Sequence, residues 1–301
     1  MQHRVKLLAS AVAVATVSVL LLIWIYPSMG DFRVDNPNWN GIREFVSELN
    51  ATPVSSFKML EKMPQKTALI VVPYEPLATE ELETLKRYVE YGGLLLVLDD
   101  YGFGNQILEY LGLEVRFSGK PLLDPLFNYK SKWLPKVVRV QEAQYLKGVG
   151  LLVLNHATAL TNVSRGMVVA WSSSFSYIDQ NLNGQWDVGE PKGPLPIAAI
   201  CKVRQGTVVV IADPSILINS MIALGDNLKF IENLVKLHTM EPEVYVDQKH
   251  LPITRLEKAK TFLEVLYKWA TYPTVSLALA VGLLTILLRP LWTGDGNERR
   301  W

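Results

Sequence analysis

Twelve consecutive residues, Asp179-Gln-Asn-Leu-Asn-Gly-Gln-Trp-Asp-Val-Gly-Glu190, carry oxygen donors at the spacing of a calcium loop. Ca2+ takes six to eight hard oxygen ligands around a tight turn. Asp179, Asn181 and Asn183 would supply side-chain oxygens at loop positions one, three and five. Gln185 would offer its backbone carbonyl, Asp187 would act through water, and Glu190 would bind through both carboxylate oxygens. Gly184 permits the sharp turn, and Trp186 takes the apolar position that docks such a loop. No helix pair flanks it, so the expected role is one structural Ca2+ rather than a sensor. A single loop of this kind is expected to bind weakly, at about 10⁻⁴–10⁻³ M, as extracellular modules do. The same residues also read as a polar Asn/Asp/Gly turn with no ion.

A second polar set falls at the expected C-terminal ends of strands: Asp99, Asp100, Asn105, Asp213, Ser215, Asn219, Asp226 and Asn227. Doubly wound folds bind ligands beyond those ends, so the set reads as a ligand pocket. With a divalent metal on Asp99, Asp100 and Asp213 it would serve a hydrolase or transferase. Such residues also cap helices, as Asp213-Pro214-Ser215 would with Pro in the first turn. Nucleophilic chemistry has little support. Cys201, the one cysteine, lies inside the apolar run Ala-Ala-Ile-Cys-Lys-Val, and no G-x-S-x-G elbow occurs. Gly102-Phe-Gly104 lacks the third glycine of a dinucleotide fingerprint. The histidines His3, His156, His238 and His250 form no pair at helical metal-ligand spacing, and Asp247 with His250 reads as a solvated pair in a linker.

The elements that must position these residues follow from the apolar pattern. The chain has 301 residues with 30 Lys+Arg against 29 Asp+Glu, a balance that argues against nucleic-acid binding. Leu7–Gly30 and Trp269–Leu288 carry no charge. Each is as long as the roughly 20-residue helix that a bilayer demands; Trp24 and Tyr26 close the first at its outer end, and Trp269, Tyr272 and Trp292 frame the second. The expected organisation is therefore a cytoplasmic N-terminus over residues 1–6 and a transmembrane helix over 7–27. An α/β domain over 31–240, a linker and stalk helix over 241–270, a second transmembrane helix over 271–291 and a cytoplasmic tail over 292–301 would follow. Flanking Lys and Arg do not decide orientation. The calcium-type loop and the sequons Asn50-Ala-Thr52 and Asn162-Val-Ser164 place the central domain outside.

Within that domain short apolar runs alternate with helical patterns. Thr67–Val72 and Leu94–Leu98 are uninterrupted apolar runs of the kind buried on both faces of a sheet. Ala78–Tyr91 lies between them with Leu82, Leu85 and Val89 on one face, Thr79 as N-cap and Gly92-Gly93 as its stop. Gly102–Leu111 predicts a short helix, and Gly150–Leu154, Met167–Trp171, Ile197–Val203 and Thr207–Ala212 predict strands. The residues from Lys120 to Gln144 predict an irregular insertion. Leu224–His238 predicts a helix before a linker at Glu241–Ile253. The expected fold class is α/β, a doubly wound, mostly parallel, flavodoxin-like sheet between two transmembrane helices.

Three motifs in order carry a resemblance. They are Asn36-Pro-Asn-Trp-Asn-Gly41, Tyr88-Val-Glu-Tyr-Gly-Gly-Leu-Leu-Leu-Val-Leu-Asp-Asp100 with Gly102-Phe-Gly-Asn105, and Gly206-Thr-Val-Val-Val-Ile-Ala-Asp-Pro-Ser215 with Asn219 and Gly225-Asp-Asn227. Together they resemble the uncharacterised membrane-protein family catalogued as domain of unknown function 4350, over about Asp31 to His238. The resemblance implies a fold like that of class I glutamine amidotransferases and gene neighbours that include MoxR-type ATPases. An active amidotransferase needs a Cys on the turn after a buried strand. The matching turn here is Asp99-Asp-Tyr-Gly102 and holds none. The expected function is a non-catalytic, membrane-anchored, extracytoplasmic binding or scaffold protein of the cell envelope. Its expected partners are the lipid bilayer and other proteins, with a MoxR-type ATPase system implied by the resemblance, but no nucleic acid.

Overall fold

The structure is a computed structural model that describes residues 2–62 and 64–292. The chain divides into two compact units. One is Pro27–Pro252, and the other takes the residues up to Tyr26 and from Ile253 onward.

The Pro27–Pro252 unit is built on one eight-stranded sheet. Its strands are β1 (Thr52–Val54), β2 (Thr67–Val71), β3 (Leu94–Leu98), β4 (Arg139–Val140), β5 (Val168–Trp171), β6 (Pro196–Val203), β7 (Gly206–Ile211) and β8 (Glu243–Asp247). The spatial order is β1-β8-β2-β3-β7-β6-β5-β4. From β1 to β7 neighbours run parallel, and from β7 to β4 they run antiparallel. The sheet is therefore mixed, and the expectation of a doubly wound parallel sheet is corrected. Chain length decides it. Only Arg204 and Gln205 separate β6 from β7, whereas a parallel return needs a crossover of a dozen or more residues. The two strands form a hairpin, with Arg204 at φ 51° as tight hairpin turns require.

Four helices belong to this unit. After α1 (Gln2–Ile25), which lies in the other unit, come α2 (Arg43–Leu49), α3 (Thr79–Glu90), α4 (Gly104–Tyr110) and α5 (Asn227–Val235). Both faces of β2 and β3 are buried. Ile70, Leu96 and Val209 enter one core with Phe45 of α2 and Phe230, Ile231 and Leu234 of α5. Leu69, Val71, Leu95, Val97 and Val210 enter the other with Leu82, Leu85 and Val89 of α3 and Ile107 and Leu108 of α4. Each such side chain contributes roughly 1.5–3 kcal/mol through burial, and this explains why uninterrupted apolar runs became the central strands. The N-cap of α3 is Ala78 rather than Thr79, and the Glu81 carboxylate accepts the Ala78 N–H at 3.0 Å.

The expected linker at Glu241–Ile253 contains β8, which inserts between β1 and β2. Its pattern is half polar, with Val244 and Val246 as its buried apolar positions, so it lacks the apolar run that marks its neighbours. The insertion at Lys120–Gln144 holds β4 at the edge of the main sheet and short pieces that pair outside it: Leu122–Leu123 with Tyr177–Ile178, and Lys136–Val137 with Leu152–Val153.

The second unit contains α1, α6 (Arg255–Thr271) and α7 (Pro273–Trp292). Thr254 caps α6: its hydroxyl accepts the Glu257 N–H while the Glu257 carboxylate accepts the Thr254 N–H. Trp24 of α1 meets Tyr267 of α6 with ring centroids 6.2 Å apart. Among the described residues no helix is long and apolar enough to cross a membrane. This corrects the expectation of two spans at 7–27 and 271–291, and with it the assignment to a cell membrane with cytoplasmic termini and an outside domain. The helices do not coincide with the uncharged runs: α1 takes in Arg4 and Lys6, and α7 takes in Arg289. The expected tail beyond Trp292 lies outside the described residues.

Candidate functional site

Parallel neighbours bring their C-terminal ends to one edge of the sheet. The end of β3 delivers Asp99 and Asp100, the end of β7 delivers Asp213, and the segment after β2 delivers Tyr74. Both oxygens of Asp99 are engaged by backbone. Oδ1 accepts the N–H groups of Asp100 at 2.8 Å and Gly102 at 2.7 Å, and Oδ2 accepts that of Gly104 at 2.7 Å. Asp213, wholly buried, accepts the Ser215 N–H on Oδ1 and the Asn155 N–H on Oδ2, both at 2.7 Å. Asp100 accepts the Tyr101 N–H at 2.6 Å and the Tyr74 hydroxyl at 3.0 Å. Gly102 and Gly104 must be small here, since a Cβ would lie 2.7 Å from a carboxylate oxygen of Asp99 at either position.

Burial sets the electrostatics. It pushes Asp99 up to about 6, with the charge of Asp100 adding and the N–H groups of Gly104 and Gly102 opposing. Asp213 is raised well above the ordinary carboxylate range by burial and by Asp100. Asp100 is raised by burial against the pull of the Tyr101 N–H and the Tyr74 hydroxyl. Burial and Asp100 likewise push the Tyr74 phenol up. A carboxylate raised on folding contributes stability that is complete below its unfolded value, 3.8 for Asp99, and is lost as pH rises through about 6. The loss from Asp99 is up to about 3 kcal/mol. The urea midpoint should therefore fall between pH 4 and pH 7 by more in the wild type than in Asp99→Asn. Parallel pH profiles for the two proteins would refute this.

The remaining strand-end residues are staples between loops. Asn105 exchanges two hydrogen bonds with the backbone of Phe117. Asp226 accepts the N–H groups of Gly150 and Leu151. Asn227 donates to the carbonyls of Val153 and Met221 and accepts the Val153 N–H. Asn219 donates to the carbonyls of Asn36 and Asn38 and accepts the Glu44 N–H. Ser215 is buried behind Asp213. Three residues at this edge escaped the sequence reading: Tyr74, Tyr101, whose hydroxyl donates to the His156 carbonyl at 2.7 Å, and His156, stacked on Trp133. An aromatic next to an acid at a strand end, as in Asp100-Tyr101, was the available signal.

The loop 179–190 is closed on itself. Asp179 is wholly buried and accepts the N–H groups of Asn183 and Gly184. Glu190 accepts those of Gln180 and Asp187. The side-chain amides of Asn181 and Asn183 both donate to Asp187, at 2.7 and 2.6 Å. The Gln185 N–H is accepted by Asn183, and the Lys132 ammonium sits on the Gly184 carbonyl. Trp186 is half exposed, beneath the Lys192 ammonium, rather than docked. Among the described residues no group of three or more His, Cys, Asp or Glu is placed to hold a metal ion. The geometry adds no support to the calcium-binding expectation: Asp179 and Glu190 accept loop N–H groups, and Asp187 accepts the side-chain amides of Asn181 and Asn183.

Cys201 faces the core in β6, and burial pushes its thiol up to about 11, the opposite of nucleophile activation. His250, expected to be solvated, is buried between Asp247 and Glu81.

The family model described as "Domain of unknown function (DUF4350)" matches residues 34–235. The chain belongs to this family. The match spans α2 to α5 and every strand-end residue described above. Among curated proteins, none matches the sequence. Solved structures with some likeness include the mmIFT52 N-terminal domain, at 15% identity and TM-score 0.43 over 56% of this chain and 76% of that one. The cytoplasmic protein STM1381 from Salmonella typhimurium LT2 is 14% identical with TM-score 0.39, over 65% of this chain and 79% of that one. A β-galactosidase from Bacillus circulans sp. alkalophilus is 13% identical with TM-score 0.34, over 56% of this chain but 22% of that one.

Proposed function

We propose that this member of the domain-of-unknown-function 4350 family is a non-catalytic binding or scaffold module that engages a protein partner at its strand-end rim. The observation that carries this reading is the orientation of Asp99 and Asp213, whose four oxygens all accept backbone N–H groups. A metal-dependent hydrolase or transferase would need those oxygens free and converging on an open pocket. Acids turned onto loop backbone instead hold loops in place, which suits a surface that presents side chains for recognition. The same logic treats the scaffold as amidotransferase-like with its nucleophile turn given over to capping. The rim offers Tyr101 and Phe103, each close to half exposed. The MoxR-type ATPase system implied by the resemblance is the first partner to try.

A photo-crosslinking amino acid placed at Tyr101 in the full chain, in its native host, tests the proposal. The same group at Tyr91, exposed just after α3, serves as control. A discrete protein adduct from position 101 and none from position 91 is the expected result. Adducts that do not distinguish the two positions, or none from either, would overturn it.

A further inference from the structure

His250 lies between two carboxylates from different elements. Its Nδ1 is 2.7 Å from Oδ2 of Asp247, the last residue of β8, and its Nε2 is 3.2 Å from Oε2 of Glu81 in the first turn of α3. The ring is buried and stacks on Phe57 at 5.5 Å. Lys249 pairs with the other oxygen of Glu81, and Lys58, next to Phe57, pairs with Glu80 at 3.3 Å. The charged groups around the imidazole are therefore Asp247 from β8, Glu81 from α3 and Lys249 from its own loop, with the Lys58–Glu80 pair beyond Phe57.

A neutral imidazole has a single N–H and can donate to one of these carboxylates, whereas an imidazolium donates to both. We propose that Asp247, His250 and Glu81 form a proton-operated clamp that fixes residues 248–252, the segment directly preceding Thr254 and α6, and that loss of the proton releases the Glu81 arm. The arms are unequal. The Asp247 side chain is fully buried and makes the shorter bond, so the remaining proton stays on Nδ1. Glu81 keeps the Ala78 N–H and Lys249 as partners when Nε2 withdraws. Release opens towards a cavity of about 260 Å3 lined by Phe57, Lys58, Thr84, Glu81 and Lys249. The clamped segment is also gripped by Arg33, whose guanidinium donates to the carbonyls of Gln248, Leu251 and Pro252. Deprotonation therefore loosens the segment without unfolding it.

Burial alone would lower the basicity of His250, but Asp247 and Glu81 more than offset it, and the imidazole is raised above 6.5. The clamp is thus complete below 6.5 and is lost as pH rises through that raised value. The test follows the His250 imidazole by NMR and the exchange of the amides of Gln248, Lys249, His250 and Leu251 in the full chain, corrected for intrinsic rates, across neutral to alkaline pH. In the wild type protection should fall by about tenfold over the His250 titration, the scale of one hydrogen bond to a charged group. His250→Gln should abolish the step. Glu81→Gln, which leaves the ring and Asp247 intact, should lower the titration midpoint and shrink the step. Protection that stays flat through the His250 titration, or a step unchanged in Glu81→Gln, would overturn the proposal.

Discussion

Asp99→Ala should lower the unfolding free energy by about 2–4 kcal/mol at neutral pH, because it strands three N–H groups, two of them buried. Those groups belong to Asp100, Gly102 and Gly104, and they define the turn that leads from β3 into α4. The methyl group of alanine offers no acceptor. Asp99→Asn should be milder. One amide oxygen can still serve Asp100 and Gly102, while the amide nitrogen would confront the Gly104 N–H. Urea unfolding of the three proteins at one pH measures the order. An Asp99→Ala protein within about 0.5 kcal/mol of wild type, the range of an ordinary surface change, would show that the carboxylate is not a structural cap. The effect also bears on function, since a catalytic acid can be removed with little loss of stability whereas a cap cannot.

Gly41→Ala is expected to cost about 3 kcal/mol or more, at the upper end of overpacking changes. A Cβ at position 41 would stand 2.0 Å from the carbonyl oxygen of Asn36, which is backbone and has no rotamer to escape into. The turn it closes is held from several sides. The wholly buried Asn36 donates to the Gly30 carbonyl and accepts the Asn38 N–H, and Asn219 ties both Asn36 and Asn38 to the segment after β7. Alanine must push this loop off Asn219, so the Asn219 N–H bond to the Gly41 carbonyl goes with it. Gly166→Ala is the control, because its Cβ would meet open space, and its unfolding midpoint should match wild type. Equal midpoints for the two variants would contradict the steric account.

Much of the scaffold can be read in the residues because its cause is local. The runs Thr67–Val71 and Leu94–Leu98 lack polar positions, and an element with no polar face must be covered on both sides. The stripe of Leu82, Leu85 and Val89 identifies the covering face of α3 in the same way. The run Glu243–Asp247 resisted this reading. Val244, Tyr245 and Val246 are β-formers and were the available signal, but Glu243 and Asp247 flank them and shorten the apolar stretch to three residues. The uncharged terminal runs misled for a related reason. Charge-free stretches in the chain are not the helices that form: α1 begins before its stretch with Arg4 and Lys6, and α7 continues past its own to include Arg289.

The acids divide along the same line. That Asp99, Asp100 and Asp213 stand at strand ends was legible from the apolar runs before them. Their role was decided by the loops. A carboxylate is a site or a cap according to which backbone N–H groups reach it, and for Asp213 one of the two comes from Asn155, far away in sequence. The calcium-type spacing of residues 179–190 is likewise a property of the chain, while the turning of Asp179 and Glu190 onto N–H groups is a property of the folded loop. His250 is the plainest case. Its three-residue separation from Asp247 is written in the chain, but Glu81, the second carboxylate, arrives only because β8 inserts beside β2 and brings its loop against α3. Residue types and local periodicity determine which groups are buried and which faces they cover. Contacts between segments remote in sequence decide protonation, capping and strand direction, because those depend on distances that no local pattern sets.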